Sequence, residues 1–235
     1  MSASDVSKAK RPRVICHMIA SIDGRILTRG WPLSAEGNRQ YELVHASYEP
    51  DGWMCGRVTM EKFAKGVRSG AALAHEHRGA VREDFVAPGE HESFAFAIDS
   101  SGRLAWESNE IDGDHVVALL SERVSDEYLG FLRDRGVSYL LAGAPEVDLA
   151  LALEKIAARF GVRTLMLEGG GRINGSMMRE GLVDEVSVLV APIVDGRAGT
   201  PALFDSDGDV APHRLVLEHV EKRADDVLWL RYRVS

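Results

Sequence analysis

The stretch Leu167-Glu168-Gly169-Gly170-Gly171-Arg172-Ile173-Asn174-Gly175 leads from an apolar run into a run compatible with a helix. In an α/β fold this is where backbone N–H groups and a helix N-terminus gather around a phosphate group. Glycine matters at such a turn because a Cβ atom would keep the backbone away from the anion. The stretch therefore predicts an α/β fold and a phosphate-bearing ligand.

A second glycine-bearing turn, Cys55-Gly56-Arg57-Val58-Thr59-Met60-Glu61, lies much earlier in the chain in the same context. Each turn carries an arginine beside its glycines. Two such turns in one small protein favour a ligand with more than one phosphate, such as a dinucleotide. For either turn taken by itself, a plain connection between a strand and a helix remains the alternative.

The common phosphate-binding fingerprints do not fit these turns. A dinucleotide-binding G-x-G-x-x-G read from Gly169 meets Asn174 where the third glycine belongs. A P-loop read from Gly170 reaches Gly175 and Ser176 without the lysine that holds the phosphates. A standard Rossmann fingerprint and a P-loop are therefore excluded.

Composition limits the classes of function. The chain has 235 residues with 45% hydrophobic and 27% charged content, which is ordinary for a globular protein with one sizeable core. A net charge of −8 argues against nucleic acid or an anionic membrane as the main partner, since both need a basic face. No apolar run has the length of a membrane span. We expect a disordered lead-in over residues 1–12 and a single domain over residues 13–235.

Cysteine and histidine usage gives no sign of a metal site. Cys16 and Cys55 each lie in an apolar run, which predicts buried free thiols and a reducing, cytoplasmic location. His75, His77 and His91 are spaced like no strong metal motif and are interleaved with charged residues. We expect no metal ion.

Strand and helix signals alternate along the chain. Apolar, β-rich runs predict strands at residues 13–20, 53–55, 94–98, 115–120, 137–142, 162–167, 186–192, 214–220 and 227–234. Capping residues and apolar stripes predict helices at residues 34–48, 60–63, 125–136, 149–160 and 174–179. This alternation indicates a mostly parallel sheet covered by helices on both faces, with an antiparallel C-terminal end. Residues 65–92 lack periodicity and predict a functional or mobile loop.

Three segments together resemble the dihydrofolate-reductase-like superfamily, and most closely the reductase half of the riboflavin-biosynthesis deaminase–reductase. Ala20-Ser21-Ile22-Asp23-Gly24-Arg25 resembles that reductase's A-x-S-L-D-G-[KR] opening. Gly56-Arg57-Val58-Thr59 is similar to the G-R-x-T cofactor turn of dihydrofolate reductases. Residues 167–185 resemble an E-G-G-x-x-L-x-G block that ends in L-V-D-E. The resemblance spans roughly residues 13–205 and is most specific in the last block.

The resemblance implies NADPH as the cofactor. Arg57 is then expected to approach the 2′-phosphate and Thr59 another phosphate group of the cofactor. The remaining residues expected at the cofactor, all at strand ends or glycine turns, are Gly56, Ser100, Ser101, Gly169, Gly170, Gly171, Arg172, Ile173 and Asn174.

The same resemblance implies a substrate site and two candidate catalytic residues. Asp23 and Glu168 are expected to polarise the substrate or relay a proton, although water is an alternative proton source. The residues expected to bind substrate are His17, Ser21, Asp23, Ser34 and Glu168. The structural alternatives are a turn pair for Asp23 with Gly24, a helix-cap acceptor for Glu168, and a hydrogen-bonded strand histidine for His17.

Two departures separate this chain from the riboflavin reductases. His17 stands where that family has a substrate-contacting lysine. The family's D-D-P-x-L-x-x-R segment, which grips the ribose phosphate, is replaced by Met60–Gly66, where Lys62, Lys65 or Arg68 are the candidate substitutes. Neither cysteine lies in a P-C-x-x-C zinc motif, so the resemblance implies a standalone reductase without the deaminase half.

The function expected from the resemblance is NADPH-dependent reduction of a pyrimidine ribosylamine phosphate in riboflavin synthesis. The substrate would be of the 5-amino-6-(5-phosphoribosylamino)uracil or the diaminopyrimidinone type. An NADPH reductase of another heterocycle, such as a pterin or a dihydrofolate, is the second hypothesis. A protein that binds NADPH without turnover is the third. The family also implies a homodimer.

Overall fold

The computed structural model describes residues 11–68, 82–206 and 211–235. Most of the expected lead-in lies outside these residues. The central part of the loop expected at residues 65–92, with His75 and His77, is outside them as well.

The described chain forms two compact units. The first unit consists mainly of residues 51–163, and the second joins residues 13–50 to residues 164–235. The expectation of a single domain over residues 13–235 stays a prediction.

Helices and strands follow one another along the whole described chain. The strands are β1 (Arg13–Ala20), β2 (Gly52–Gly56), β3 (Phe94–Ile98), β4 (Glu110–Ile111), β5 (Asp114–Leu120), β6 (Ser138–Leu141), β7 (Thr164–Leu167), β8 (Glu185–Val190), β9 (Leu215–Lys222) and β10 (Leu228–Val234). The helices are α1 (Ala35–Ser47), α2 (Arg57–Met60), α3 (Asp126–Asp134), α4 (Leu149–Phe160) and α5 (Gly171–Arg179), and a 3₁₀ turn spans Ala224–Asp226.

The second unit is built around β1, which is buried along most of its length. Strand β1 pairs in parallel with β7 and with β8. Strand β10 then runs antiparallel to β8, and β9 runs antiparallel to β10. Helix α1 packs over this sheet through Val44, which forms a small core with Leu189 and Val227. The carboxyl ends of β1, β7 and β8 therefore meet at one edge.

The first unit has its own parallel strands and its own core. Strands β2, β3 and β5 pair in parallel in that order, β6 pairs in parallel with β5, and β4 runs antiparallel to the start of β5. Its large buried side chains include Trp106, Tyr128 and Tyr139. Ser125 caps α3 by accepting from the Tyr128 N–H, as its position predicted.

The fold class expected from the sequence is confirmed, and so are nearly all the expected elements. Two helices begin earlier than expected. Helix α2 starts at Arg57, after its N-cap Gly56, and ends at Met60, so the helix expected at residues 60–63 was wrong beyond its first residue. Helix α5 starts at Gly171, although glycine disfavours helix interiors by about 1 kcal/mol relative to alanine. Close packing of this helix against a neighbouring segment explains the glycines.

Candidate functional site

In the second unit, polar residues follow three parallel strands at the edge where those strands end. Ser21 and Asp23 follow β1, Glu168 follows β7, and Asp195 lies in the segment after β8. Ligands of open α/β sheets bind outside the carboxyl ends of the strands. This edge is therefore the candidate active site of the second unit.

Glu168 is paired with a histidine that the sequence analysis did not single out. The Nδ1 atom of His45 lies 2.6 Å from Oε1 of Glu168. The two side chains are 22% and 14% exposed, respectively, so the pair is largely shielded from solvent. His45 lies in the last turn of α1, where the helix dipole favours a positive charge. The arrangement holds the carboxylate of Glu168 in one orientation beside a proton-bearing group.

His17 is buried in a network that uses both of its ring nitrogens. Nε2 lies 3.2 Å from the carbonyl oxygen of Tyr41, and Nδ1 lies 3.0 Å from Oγ of Ser187. A carbonyl only accepts, so Nε2 carries the hydrogen and Nδ1 accepts from the Ser187 hydroxyl. Trp229 donates its indole N–H to the same hydroxyl oxygen at 2.9 Å. Burial lowers the pKa of His17, which is consistent with a neutral ring.

Asp23 ties the turn after β1 to the segment after β8. Its carboxylate accepts from the backbone N–H groups of Asp195 and Gly196, both at 2.9 Å, and from the Ser21 hydroxyl at 2.7 Å. These hydrogen bonds, that of Ser21 foremost, lower the pKa of Asp23 to about 2. The carboxylate is therefore ionised at neutral pH. Ser34, also expected to bind substrate, caps α1 by accepting from the Gly37 N–H at 3.0 Å.

Part of the triple-glycine turn packs against its own chain. A Cβ atom at Gly171 would lie 2.2 Å from the carbonyl oxygen of Ala202, and one at Gly175 would lie 2.1 Å from that of Asp205. Asn174 is fully buried and donates its side-chain amide to the Leu203 carbonyl at 2.9 Å. Gly171, Asn174 and Gly175 thus allow residues 202–205 to pack closely against this helix. The cofactor role expected of Gly171 and Asn174 stays a prediction.

The start of the same turn faces a different neighbour. Gly169 has a φ of +97°, in the region that favours glycine. A Cβ atom there would meet the Met18 side chain at 3.1 Å. Gly170 is the extended N-cap of α5, and the first N–H groups of a helix have no partner inside it. Arg172 is exposed and Ile173 half-buried on the first turn. Helix N–H groups without an intrahelical partner are the general requirement for anion binding at such a turn.

In the first unit, the turn after β2 presents Arg57 at the start of α2. The guanidinium donates to the carboxylate of Glu61, one turn further along the chain. Both side chains are partly exposed. Gly56 and Thr59 are half-buried.

Ser100 and Ser101 follow β3 of this unit. The hydroxyl oxygen of Ser100 accepts from the Val147 N–H at 3.2 Å, and Ser101 is exposed. The residue before them, Asp99, was not singled out in the sequence. It is buried, and one carboxylate oxygen accepts from the N–H groups of Arg103 and Leu104 at 2.6 and 2.8 Å.

Burial raises the pKa of Asp99, while its hydrogen bonds and the nearby Arg57 act in the opposite direction. Within the described residues its other oxygen, Oδ1, is buried without a hydrogen-bond partner. An Asp at a strand end before Ser-Ser-Gly is typical of a turn, so the sequence pattern does not indicate a functional role for Asp99.

The sequence profile described as the RibD C-terminal domain matches residues 12–229. The chain belongs to this family.

Two relatives of this RibD C-terminal domain chain carry the same name, 2,5-diamino-6-ribosylamino-4(3H)-pyrimidinone 5′-phosphate reductase. The one from Methanothermobacter thermautotrophicus is 32% identical over 200 residues, covering 84% of this chain and 86% of the relative. The one from Archaeoglobus fulgidus is 28% identical over 218 residues, covering 90% and 94%.

Solved structures agree with the fold. A pyrimidine reductase-like protein from Corynebacterium diphtheriae superposes with a TM-score of 0.70 at 18% identity, covering 98% of this chain and 94% of that one. RibD from Acinetobacter baumannii gives a TM-score of 0.66 at 19% identity, covering 96% of this chain and 58% of that one.

The cysteines and the helices of this RibD C-terminal domain chain can be compared with what the sequence predicted. Cys16 and Cys55 are buried free thiols, as expected. None of the helices in residues 11–68, 82–206 and 211–235 is long and apolar enough to cross a membrane.

Proposed function

We propose that this protein is an NADPH-dependent reductase of a pyrimidine ribosylamine phosphate in riboflavin biosynthesis. The substrate is of the diaminopyrimidinone or the 5-amino-6-(5-phosphoribosylamino)uracil type. The observation that carries the proposal is the family match over residues 12–229, together with a relative named as such a reductase that aligns over 84% of this chain. A nicotinamide cofactor goes with that family, and NADPH is our choice because of Arg57.

The residues present fit such a cofactor. Arg57 offers the planar donor that suits a 2′-phosphate, and the turn at Gly169 and Gly170 has the backbone that an anion needs at a helix N-terminus. When bound, the dihydronicotinamide supplies the hydride that reduces the open, imine form of the ribosylamino group to a ribitylamino group.

The chain's own contribution is orientation and proton supply. Glu168, oriented by His45, binds the polar edge of the pyrimidine, and this pair also bears the proton that the imine nitrogen takes up when the imine is reduced. Asp23 is ionised and tied to backbone N–H groups, which favours a positioning role over proton donation. Hydride transfer depends mostly on such positioning.

A second candidate function is an NADPH reductase of another heterocycle, such as a pterin or a dihydrofolate. The observation that favours it is the segment that replaces the family's phosphate grip. Lys62 lies over the ring of Phe63, with its Nζ atom 4.6 Å from the ring centroid. Lys65 pairs with Glu107 at 2.6 Å. The guanidinium carbon of Arg68 lies 3.6 Å from the centroid of the Phe131 ring. All three candidate phosphate ligands thus contact other side chains.

The deciding experiment offers the diaminopyrimidinone ribosylamine phosphate and, separately, dihydrofolate and a dihydropterin, each with NADPH. Cofactor oxidation is followed by absorbance, and the product is identified by mass spectrometry. A ribityl product two hydrogens heavier than the substrate, absent with Glu168→Gln, supports the first function. Turnover of the pterin or folate alone supports the second. Binding of NADPH without turnover of any of them supports a non-catalytic protein.

A homodimer and a cytoplasmic location complete the proposal. The homodimer comes from the family resemblance, and the location from the two free thiols. Light scattering of the purified protein tests the first.

A further inference from the structure

We propose that Glu61 sets the cofactor selectivity of this protein, because it competes with the 2′-phosphate of NADPH for Arg57. The inference rests on the proposed function, since it assumes that Arg57 meets the ribose end of a nicotinamide dinucleotide. It goes further by assigning a role to a carboxylate that the cofactor turn itself does not require.

The side chains of Arg57 and Glu61 are in direct contact. Arg57 begins α2 and Glu61 is its C-cap four residues later, and the guanidinium donates directly to the carboxylate. Residues at this spacing face each other on one side of a helical turn. Their side chains are 29% and 34% exposed, respectively, so a ligand can reach both. The group expected to hold the phosphate is therefore already neutralised by a carboxylate of the same turn.

Arg57 also has other charged groups around it. Asp99 also acts electrostatically on it, yet its Oδ2 is held by the N–H groups of Arg103 and Leu104 and by the Tyr128 hydroxyl. Within residues 11–68, 82–206 and 211–235, Glu61 is thus the carboxylate that contacts Arg57 directly.

The two cofactors present different groups to Arg57 and Glu61. A 2′-phosphate needs the donors of Arg57, so Glu61 must release them and then lie beside a second anion. The 2′-hydroxyl of NADH carries no charge and can donate to a carboxylate, the role that an acidic residue has in NAD-binding folds. Glu61 therefore disfavours NADPH and leaves NADH unaffected or slightly favoured.

Fluorescence titration of wild type and Glu61→Gln with NADPH and with NADH tests this directly. The Kd for NADPH should fall by about threefold to tenfold in the variant, the scale of one charge-assisted contact near a surface. The Kd for NADH should stay the same or rise slightly. The gain for NADPH should shrink as salt rises, because partly exposed charges are screened.

Two further variants make the test specific. Glu107→Gln removes a carboxylate of the same unit that pairs with Lys65 rather than Arg57, so its ratio of NADPH to NADH affinity should match wild type. In an Arg57→Ala background, which should itself weaken NADPH much more than NADH, adding Glu61→Gln should not restore NADPH selectivity.

The outcomes separate this inference from the proposed function. If the cofactors bind but Glu61→Gln leaves their affinity ratio unchanged, or shifts both equally, the role of Glu61 is overturned and the reductase proposal stands. If neither cofactor binds to any variant at millimolar concentration, the proposed function itself is overturned, and this inference with it.

Discussion

At the scale of single residues, the contact between His45 and Glu168 has the most direct chemical consequence. The two residues lie 123 positions apart in the chain, yet their side-chain atoms are 2.6 Å apart. A carboxylate at a strand end would otherwise sample several rotamers. The imidazole restricts it to one orientation and places a proton next to it.

We expect His45→Leu to lower kcat/KM by roughly tenfold or more, because in the proposed mechanism it leaves Glu168 without a fixed orientation, and a misplaced group can cost about 100-fold. His45→Asn should recover part of this loss, since its side-chain amide nitrogen replaces Nδ1 as the donor to Glu168 but supplies no proton. Steady-state NADPH oxidation across pH 6 to 9 checks both variants. Full activity of the leucine variant at every pH would contradict a positioning role for His45.

At the scale of elements, helix α5 is shaped by packing as much as by ligand binding. Gly171 and Gly175 lie one turn apart and both face the backbone of residues 202–205. The N–H of Asp205 also donates to the Gly171 carbonyl at 2.9 Å. The helix can approach this segment only because two of its residues lack side chains.

Gly175→Ala should therefore destabilise the protein even though alanine is the better helix former. The added methyl group would meet a backbone carbonyl, and such overpacking costs about 1–3 kcal/mol, which exceeds the propensity gain of about 1 kcal/mol at the upper end. Thermal unfolding should show a lower Tm for this variant. Ser176→Ala, at the next position of the helix, adds no atom and serves as the control. A Tm equal to or above wild type for Gly175→Ala would show that residues 202–205 can move away.

His115, a buried histidine of strand β5 in the first unit, has its own pH dependence beside His91, a half-buried residue that precedes β3. The His115 ring stacks on that of His91 with centroids 3.8 Å apart, and its Nε2 lies 2.7 Å from the Ser138 hydroxyl. Burial first, and then the neighbouring His91, lower the pKa of His115 to about 4 from its ordinary 6.5. Between these values the unfolded chain binds a proton that the folded chain does not.

Stability should therefore fall as pH drops through about 6.5 and continue to fall until about pH 4, by up to about 3 kcal/mol from this group. His115→Gln keeps a polar partner for Ser138 but does not titrate, so it should lose less stability than wild type between pH 7.5 and 5. Denaturant unfolding at the two pH values measures the difference. Equal losses in both proteins would mean that other groups dominate.

Strand β5 and helices α3 and α5 show which features of the fold can be predicted from sequence patterns. The strand at residues 115–120 and the helix between Ser125 and Gly136 were predicted because apolar periodicity and capping residues are local signals. The earlier start of α5 was missed, since glycine argues against a helix until its packing partner is known. Among the candidate site residues, Asp23 and Glu168 were predicted from their positions at strand ends, whereas no local pattern distinguished His45 from an ordinary helix residue or Asp99 from an ordinary turn residue.

At the scale of the whole molecule, strand β9 bears on the state of assembly. Within the described residues it pairs only with β10. Its apolar residues Val216, Leu217 and Val220 are 40%, 53% and 57% exposed. An exposed apolar edge strand is a common site of pairing with another chain.

We expect light scattering to give twice the mass of one chain, in line with the homodimer implied by the family. Leu217→Arg places a charge on the exposed strand and should shift the protein towards the monomer on dilution, whereas Val58→Arg, on an exposed position of the first unit, should not. A monomeric mass for wild type at micromolar concentration would refute the homodimer.

The sequence by itself determined the order of strands and helices, the two glycine turns and the family, because periodicity, capping and backbone freedom are properties of neighbouring residues. Only the tertiary structure decided which side chains meet. Asp23 bonds the backbone 172 and 173 residues away, His17 bonds Ser187 across 170 residues, and His45 finds Glu168. Strand register and helix packing create these contacts, and no local pattern carries that information.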